Sequence, residues 1–453
     1  MNATDQLGQA PIKTLFFQNY GPAIISLLSS ILHQVINGII LGQQVGKEGL
    51  AAVGLYGPVV IVLVALSLPV MIGGGVLIGK SIGAGDFKKV QEVFQFATTL
   101  VILIGGCVAV SAPFLAVPLG RFLAGADHVT LAQNTADYAF WQLVSLPFFF
   151  LGMIWGNFVR ANNAPKVSRN ASICAAAVNI VLDLILIVGL DLGVKGASIA
   201  TAVALATGAA YLFVFISKGN THLSFSAFRF TLIFSQWKEY LKIGLPSFAS
   251  EIAFSSGLLF INQSLIRHGS TAVAAFGLVN YLSFLLIRPF TAAMIAALPI
   301  MSFNIGAKQP KRVLETLRFS LGFTVVLGIV VTAIGLFLSD QLISLFSGDQ
   351  NIEYRETASQ AMGLYFLLFL AAGPNYLLAA FFQSTGKTFL SLLVNLLKGF
   401  LLIVPALMIL PDYFGLPGIW LSRSLAEILT LIIIAAYTMW YKSRYYAAGA
   451  IVR

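Results

Sequence analysis

Long apolar runs separated by short charged loops make up almost the whole of this 453-residue sequence. Charged residues account for 10% of the chain, whereas soluble domains carry roughly 25%. A helix needs about 20 apolar residues to cross the hydrocarbon of a bilayer, so this length allows about a dozen spans with short loops. The composition therefore excludes a soluble enzyme, a disordered tail and a nucleic-acid-binding module.

Twelve apolar runs are bounded by charges, glycine and proline. Only helices satisfy their backbone hydrogen bonds within one span, and the alternation typical of transmembrane β-strands is absent. We predict an all-α membrane protein with twelve transmembrane helices. Polar residues 1–13 lead into the first of these helices. We interpret Cys107 and Cys174, which both lie in apolar runs, as small core residues. The runs lie near residues 14–41, 50–78, 92–118, 137–158, 167–190, 196–217, 240–266, 272–302, 317–338, 357–382, 388–410 and 416–441.

The distribution of lysine and arginine predicts the orientation. With a cytoplasmic N-terminus, five of the 27 basic residues lie in outside loops, three lie deep in spans, and the other nineteen face the cytoplasm. Cytoplasmic loops retain positive residues, so both termini are predicted inside, and the net charge of +10 requires no nucleic-acid partner. The outside residues are Lys47, Arg121, Lys195, Arg267 and Arg355, and the deep ones are Arg288, Lys398 and Arg423.

The two halves of the chain resemble each other at a nearly constant offset. Residues 50–54 match 273–277 and residues 82–84 match 305–307, both 223 positions apart, while Gly193 and Gly196 match Gly415 and Gly418 at 222. Six spans per half is an even number, so the second half enters from the same side and the repeats are parallel. We predict two six-helix lobes around a central cavity, with an N-terminal lobe at 1–217, a cytoplasmic linker at 218–239 and a C-terminal lobe at 240–453.

Six charged residues lie deep in the predicted spans: Asp183, Glu251, Arg288, Lys398, Arg423 and Glu427. Each costs on the order of 2.5–3.5 kcal/mol there, so each should be paired or face water. Asn179 and Asp183 are four residues apart on one helix face, and an acid beside an amide suits a proton or a hard cation such as Na+. Arg423 and Glu427 have the same spacing and are predicted to neutralise each other.

A substrate cavity is predicted from polar and basic side chains within the apolar runs. The sequence leaves open whether Arg288 pairs with Glu251 and whether Lys398 joins Arg423 and Glu427. A nucleotide-binding P-loop and the common catalytic motifs are absent, so we expect a carrier that needs no ATP or other cofactor rather than an enzyme. The cavity residues are His33, Asn280, Arg288, Asn375 and Lys398.

Several short motifs occur in a fixed order on the repeat. They are residues 38–42 (GIILG), 50–54 (LAAVG), 161–165 (ANNAP), 179–183 (NIVLD), 193–197 (GVKGA), 244–247 (GLPS), 303–308 (FNIGAK) and 382–387 (FQSTGK). With these motifs, the chain resembles the multidrug and toxic compound extrusion (MATE) family over nearly its whole length. The resemblance implies a monomeric exporter of amphipathic, cationic organic compounds in the cell inner membrane, driven by inward flow of Na+ or H+.

The resemblance also implies a cation-coupling site in the N-terminal lobe. It comprises Asn179, Asp183, Thr201 and a position on helix one. At that position relatives carry an acid, whereas this chain has Asn37. If the ion is Na+, Asn179 and Asp183 are its expected ligands. Because an amide cannot take up a proton, Glu251, which matches a helix-seven acid of some members, is a second coupling candidate. The alternative function is a flippase of lipid-linked oligosaccharides or a carrier of an anionic metabolite, which the deep basic residues would suit.

Overall fold

The computed structural model describes residues 3–125, 127–219, 221–226, 228–232, 234–347 and 352–447. Within these ranges, eleven helices are long and apolar enough to cross a membrane, and two shorter helices bent by 50° together form a twelfth candidate span. Helices are expected because each span must satisfy its own backbone hydrogen bonds in lipid. The prediction of an all-α membrane protein with twelve transmembrane segments is confirmed.

The described residues form two compact units, and the first contains residues up to Leu245 together with Leu298–Val313. The bent pair consists of α5 (Val129–Val144) and α6 (Leu146–Ala161), and the bend lies at Ser145, just before the proline in the first turn of α6. A π-helical turn, Leu184–Gly189, directly follows α7. The helices are α1 (Ala3–Gln9), α2 (Ile12–Gln44), α3 (Lys47–Gly83), α4 (Phe87–Ala124), α5 (Val129–Val144), α6 (Leu146–Ala161), α7 (Pro165–Asp183), α8 (Gly193–Ser217) and the start of α9 (Phe234–Ile266).

The second unit contains Pro246–Ala297 and the residues from Leu314 onwards. Its core is aromatic, with Phe276 stacked on Trp420 and Phe290 stacked on Phe369. A 3-10 turn joins α14 to α15, and a π-helical turn, Leu397–Leu401, joins α16 to α17. The helices are the rest of α9, α10 (Ser270–Leu286), α11 (Arg288–Gly306), α12 (Pro310–Phe337), α13 (Ser339–Ser347), α14 (Ile352–Tyr365), α15 (Phe369–Ser384), α16 (Thr388–Leu396), α17 (Ile403–Phe414) and α18 (Leu416–Ala447).

The described residues of the stretch 218–239, which is predicted as a linker, belong to the first unit and pack within it. Gln91 Nε2 donates a hydrogen bond to Ser224 O at 2.6 Å, and Ser224 N donates back to Gln91 Oε1 at 3.1 Å. The Phe225 ring packs on Trp155, with centroids 5.4 Å apart. The last residues of the stretch already belong to α9. The three-part division proposed from the sequence stays a prediction.

The internal repeat extends to the backbone turns between helices. α6 and α15 begin and end 223 residues apart. Residues with positive φ recur at the same spacing, in the pairs Gly46 and Gly269, Gly85 and Lys308, and Asn163 and Gly386, while Gly193 and Gly415 are 222 apart. Positive φ is costly for residues with a Cβ. The recurrence of these turns, even at Lys308 and Asn163, shows that both halves have kept the same connections.

The two cysteines are more accessible than the sequence suggested. Cys107 is exposed and Cys174 is only partly buried, so the assignment of both to the core is wrong. The physical reason is that a thiol behaves as a small apolar group, which a membrane helix can also present on a face that no other helix covers.

α3 and the last turns of α11 pack with their backbones in near contact. A Cβ built at Gly83 would overlap Phe303 O, and a Cβ built at Gly306 would overlap Lys80 O. The obstructing atoms belong to the backbone, so no side chain can rotate away to make room. Glycine is therefore required at both positions for this close approach.

We predict that Gly83→Ala and Gly306→Ala each destabilise the protein. Overpacking of this kind costs about 1–3 kcal/mol and should lower the apparent unfolding midpoint, measured by heating the purified protein in detergent. Gly54→Ala is the matched control on α3, because nothing lies within 4 Å of its built Cβ. Equal midpoints for all three variants would contradict the close packing.

Candidate functional site

Asp183 is the last residue of α7 and its side chain is fully buried, with 0% exposed. The π-helical turn begins directly after it, and such interruptions of the regular helix occur frequently at functional sites. A carboxylate this deep in a membrane protein is costly unless neighbouring groups stabilise it. Its neighbours therefore indicate what the position is built to hold.

Asn179 lies one turn before Asp183 and binds one oxygen of its carboxylate. With the amide oriented so that both of its groups have partners, Asn179 Nδ2 donates to Asp183 Oδ2 at 3.2 Å, and its oxygen accepts from the Thr201 backbone N–H at 3.2 Å. Thr201 Oγ1 donates to Ala197 O at 3.0 Å on its own helix. Asn179, Asp183 and Thr201, proposed together from the sequence, thus lie together between α7 and α8.

Asp183 Oδ1, Asn37 Oδ1 and the Tyr56 hydroxyl are among the buried oxygen atoms of the first unit that have no hydrogen-bond partner within the described ranges. Asn37 lies on α2, which packs along α7. The Tyr56 ring contacts Tyr138 edge to face at 5.5 Å, and Tyr138 interacts electrostatically with Asp183. Buried polar atoms almost always have partners, so these oxygens are candidates for binding a proton or a cation.

We call Asn37, Tyr56, Tyr138, Asn179, Asp183 and Thr201 the first-unit site. The two tyrosines were missed from the sequence, because a tyrosine in an apolar run has no distinctive signal and no spacing links α3 and α5 to α7. Only the four-residue spacing of Asn179 and Asp183 was visible without the fold. The roles of these residues in ion coupling stay a prediction.

In the second unit, Asn375 binds Glu427. Asn375 Nδ2 donates to Glu427 Oε2 at 2.7 Å and to Glu427 O at 2.9 Å. The ion pair predicted between Arg423 and Glu427 is wrong, since these two side chains form no contact within 4.0 Å. Arg423 Cζ instead lies 4.6 Å from the Phe254 ring centroid. An amide from another helix holds the carboxylate, while an aromatic face stabilises the guanidinium.

Two further basic residues of this unit, Lys398 and Arg288, also lie over aromatic rings. Lys398, on the second π-helical turn, has 5% of its surface exposed, and its Nζ lies 3.6 Å from the Tyr376 ring centroid. Arg288 Cζ lies 3.8 Å from the Phe284 ring centroid. Glu251 is partly buried and interacts electrostatically with Arg288 and Lys398. We call Glu251, Arg288, Asn375, Tyr376, Lys398, Arg423 and Glu427 the second-unit cluster.

Of the five residues assigned to a substrate cavity, three belong to the second-unit cluster: Arg288, Asn375 and Lys398. His33 is partly buried on α2 in the first unit, with Nδ1 3.2 Å from Ser29 O of the same helix. Asn280 is partly buried on α10. Among the described residues, no hydrogen bond joins either of these two to a cluster, and the cavity assignment stays a prediction.

Comparison with known proteins shows that one family model matches both halves of the chain. The MatE family model matches residues 22–185 and again residues 246–408. Multidrug export protein MepA of Staphylococcus aureus (strain MSSA476) is 30% identical over 432 residues, covering 93% of this chain and 92% of the relative. MepA of Staphylococcus haemolyticus (strain JCSC1435) is 27% identical over 412 residues, covering 90% and 88%.

Solved structures share the fold. An outward-facing multidrug resistance MATE transporter of the MOP superfamily is 22% identical with a TM-score of 0.88 over 98% of each chain. A MOP superfamily transporter from Pyrococcus furiosus, described as having a binding pocket of reverse polarity, is 21% identical with the same score and coverage. Because the family model matches both halves and the exporter from strain MSSA476 is 30% identical, this multi-pass protein is a membrane transporter of small compounds, not an enzyme. The chain belongs to the MatE family.

We predict that Tyr56→Phe raises the unfolding midpoint in the absence of substrate. It removes a buried hydroxyl without a partner, whose burial costs about 1–3 kcal/mol. Tyr240→Phe is the matched control, because Tyr240 is equally buried, at 1% exposed, and its hydroxyl donates to Val93 O at 2.7 Å. That control should unfold at a lower temperature. If both variants lost stability equally, the Tyr56 hydroxyl would have a partner after all.

Proposed function

We propose that this transporter exports amphipathic, cationic organic compounds across the plasma membrane in exchange for H+ or Na+. The observation that carries the proposal is the buried Asp183 carboxylate, with one oxygen bound by Asn179 and the other without a partner. The multidrug export proteins that share up to 30% identity with the chain support the substrate class. We further propose a monomer with both termini in the cytoplasm.

Exchange follows from competition at one negative charge. An ionised Asp183 attracts a cationic substrate, and a proton or Na+ that binds Oδ1 removes this attraction. Each ligand then lowers the affinity for the other by the same factor, because the coupling free energy is reciprocal. A gradient of the ion drives export only if the ion and the substrate bind the two conformational states differently.

Asn37 limits the charge of the first-unit site to one. Since the amide cannot ionise, Asp183 is the only group of the site that carries a negative charge near neutral pH. The oxygens of Asp183, Asn37 and Tyr56 without partners are the ligand type that hard cations such as Na+ prefer. Uptake of a single proton is equally compatible with one carboxylate, so the ion is decided by transport measurements.

We predict that Asp183→Asn strongly reduces ion-driven export. Reconstituted protein is given either a pH gradient or a Na+ gradient, and efflux of ethidium is followed by fluorescence. Loss of the coupling charge should reduce the gradient-dependent rate about 5–150-fold, the range of typical coupling free energies. The gradient that drives efflux in the parent protein identifies the ion.

The matched control is Asp191→Asn, an acid-to-amide change eight residues further along. Asp191 is exposed and has a φ of 50°, a conformation that asparagine also tolerates, so its efflux should equal that of the parent. Undiminished coupling in Asp183→Asn would refute the role of Asp183. If Glu251→Gln alone lost coupling, the carboxylate that matters would be in the second unit.

A second candidate function is transport of an anionic substrate, including the diphosphate group of a lipid-linked oligosaccharide. It is favoured by the three basic side chains of the second-unit cluster, Arg288, Lys398 and Arg423. Parent protein that moves no ethidium under either gradient but exchanges an organic anion would support this candidate over the first.

A further inference from the structure

The second-unit cluster has an excess of positive charge. Glu251, Arg288, Lys398, Arg423 and Glu427 supply three basic and two acidic side chains to the interior of this unit. In the described part of the chain, no ion pair within 4.0 Å involves any of them. The basic groups instead lie over aromatic rings, so neither acid is neutralised by a single ion pair, although Glu427 also accepts a hydrogen bond from Asn375.

Lys398 lies at the centre of this field. Its ammonium, 3.6 Å from the Tyr376 centroid, interacts electrostatically with Glu427, Arg423 and Glu251. Tyr376 in turn interacts with both acids and with both arginines. Coulombic interactions are strong in a low-dielectric interior, so removing the lysine charge would be felt by every other member of the cluster.

The repeat shows that the second-unit cluster is not a copy of the first-unit site. At the offset of 223, Asn37, Asn179 and Asp183 correspond to Phe260, Leu402 and Ala406. At the offset of 222 that relates Gly193 and Gly415, Thr201 corresponds to Arg423. In the other direction, Lys398 corresponds to Ala175 and Glu251 to Leu28. The position of Asp183 is therefore apolar in the second half, the positions of Glu251 and Lys398 are apolar in the first half, and an arginine lies where the first half has Thr201.

We propose that Lys398 is the resident cation of the second-unit cluster, and that this cluster takes no coupling ion from solution. A Na+ or proton added beside the two acids would raise an existing excess of positive charge in a poorly solvated place. The ammonium already provides the charge that such an ion would bring. The inference rests on the proposed ion coupling at Asp183, and it limits this transporter to one ion site, in the first unit.

The first test measures binding of radiolabelled Na+ to purified protein in detergent at neutral pH. In the Asp183→Asn background the negative charge of the first-unit site is absent. Adding Lys398→Met, which replaces the lysine with a neutral side chain of similar length, should create a Na+ site at Glu251 and Glu427. We expect the apparent Kd for Na+ to fall at least about tenfold relative to Asp183→Asn alone. Adding Glu427→Gln to this pair should reverse the gain.

The control is Lys195→Met in the same background, which removes one positive charge at the start of α8 in the other unit and should create no Na+ site. No gain of Na+ binding with Lys398→Met, or the same gain with Lys195→Met, would overturn the inference. Failure of the proposed function is seen separately, as efflux by Asp183→Asn that still depends on an ion gradient.

The second test uses unfolding midpoints and requires no ion binding. Glu427→Gln keeps the hydrogen bond to Asn375 within reach but leaves the buried cations undercompensated, so its midpoint should fall by several degrees. Lys398→Met combined with Glu427→Gln should recover most of that loss, since both charges are removed together. Additive losses in the double variant would show that Lys398 does not balance Glu427, and would overturn the inference.

Discussion

The cost of charge in a poorly solvated interior is the constraint on which the structure depends. A chain with 10% charged residues has most of them in loops or at helix ends, and six of the described charged residues lie deep in the spans predicted from the sequence. Each of the six has an identifiable means of stabilisation: an amide donor for Asp183 and Glu427, an aromatic face for the three cations, and the field of two cations for Glu251. Removing any one of these groups changes the balance of its neighbours.

Both units place an ionisable side chain at a local break in a helix. Asp183 directly precedes one π-helical turn, and Lys398 lies within the other. A π-helical turn shifts the following side chains around the helix axis and loosens the hydrogen-bond ladder. A group that must exchange ligands benefits from this, because neighbouring backbone can adjust. In both halves the regular helix is interrupted at an ionisable side chain, and in the first half this is the side chain proposed to exchange ions.

The sequence predicted what is periodic or local. Span positions follow from apolar length, and the repeat follows from motifs at one offset, because the same helix and turn geometry recurs in each half. The Asn179–Asp183 contact follows from their spacing on one helix. The same rule failed for Arg423 and Glu427, since the side chains that compete for them, Phe254 and Asn375, come from helices far away in the chain.

Tyr56 and Tyr138 illustrate the other limit of sequence reasoning. Tyrosines are common in membrane helices, and only three-dimensional packing shows that one hydroxyl is buried without a partner while the other lies near the acid. Nothing in α3 or α5 marks these positions in advance. Whether a buried polar atom has a hydrogen-bond partner depends on the residues around it, and here those residues come from four helices.

The divergence of the two halves follows from what the membrane does and does not constrain. Span length and connecting turns are fixed by bilayer thickness and backbone sterics, so Gly46, Gly85 and Asn163 kept their counterparts. A charge pattern has no such requirement and needs only local compensation. In the mechanism proposed above, one half holds an acid that takes its cation from solution, while the other holds Lys398 beside its two acids. Two backbones with the same geometry can in this way hold different charges, and the proposed response to ions belongs to one of them.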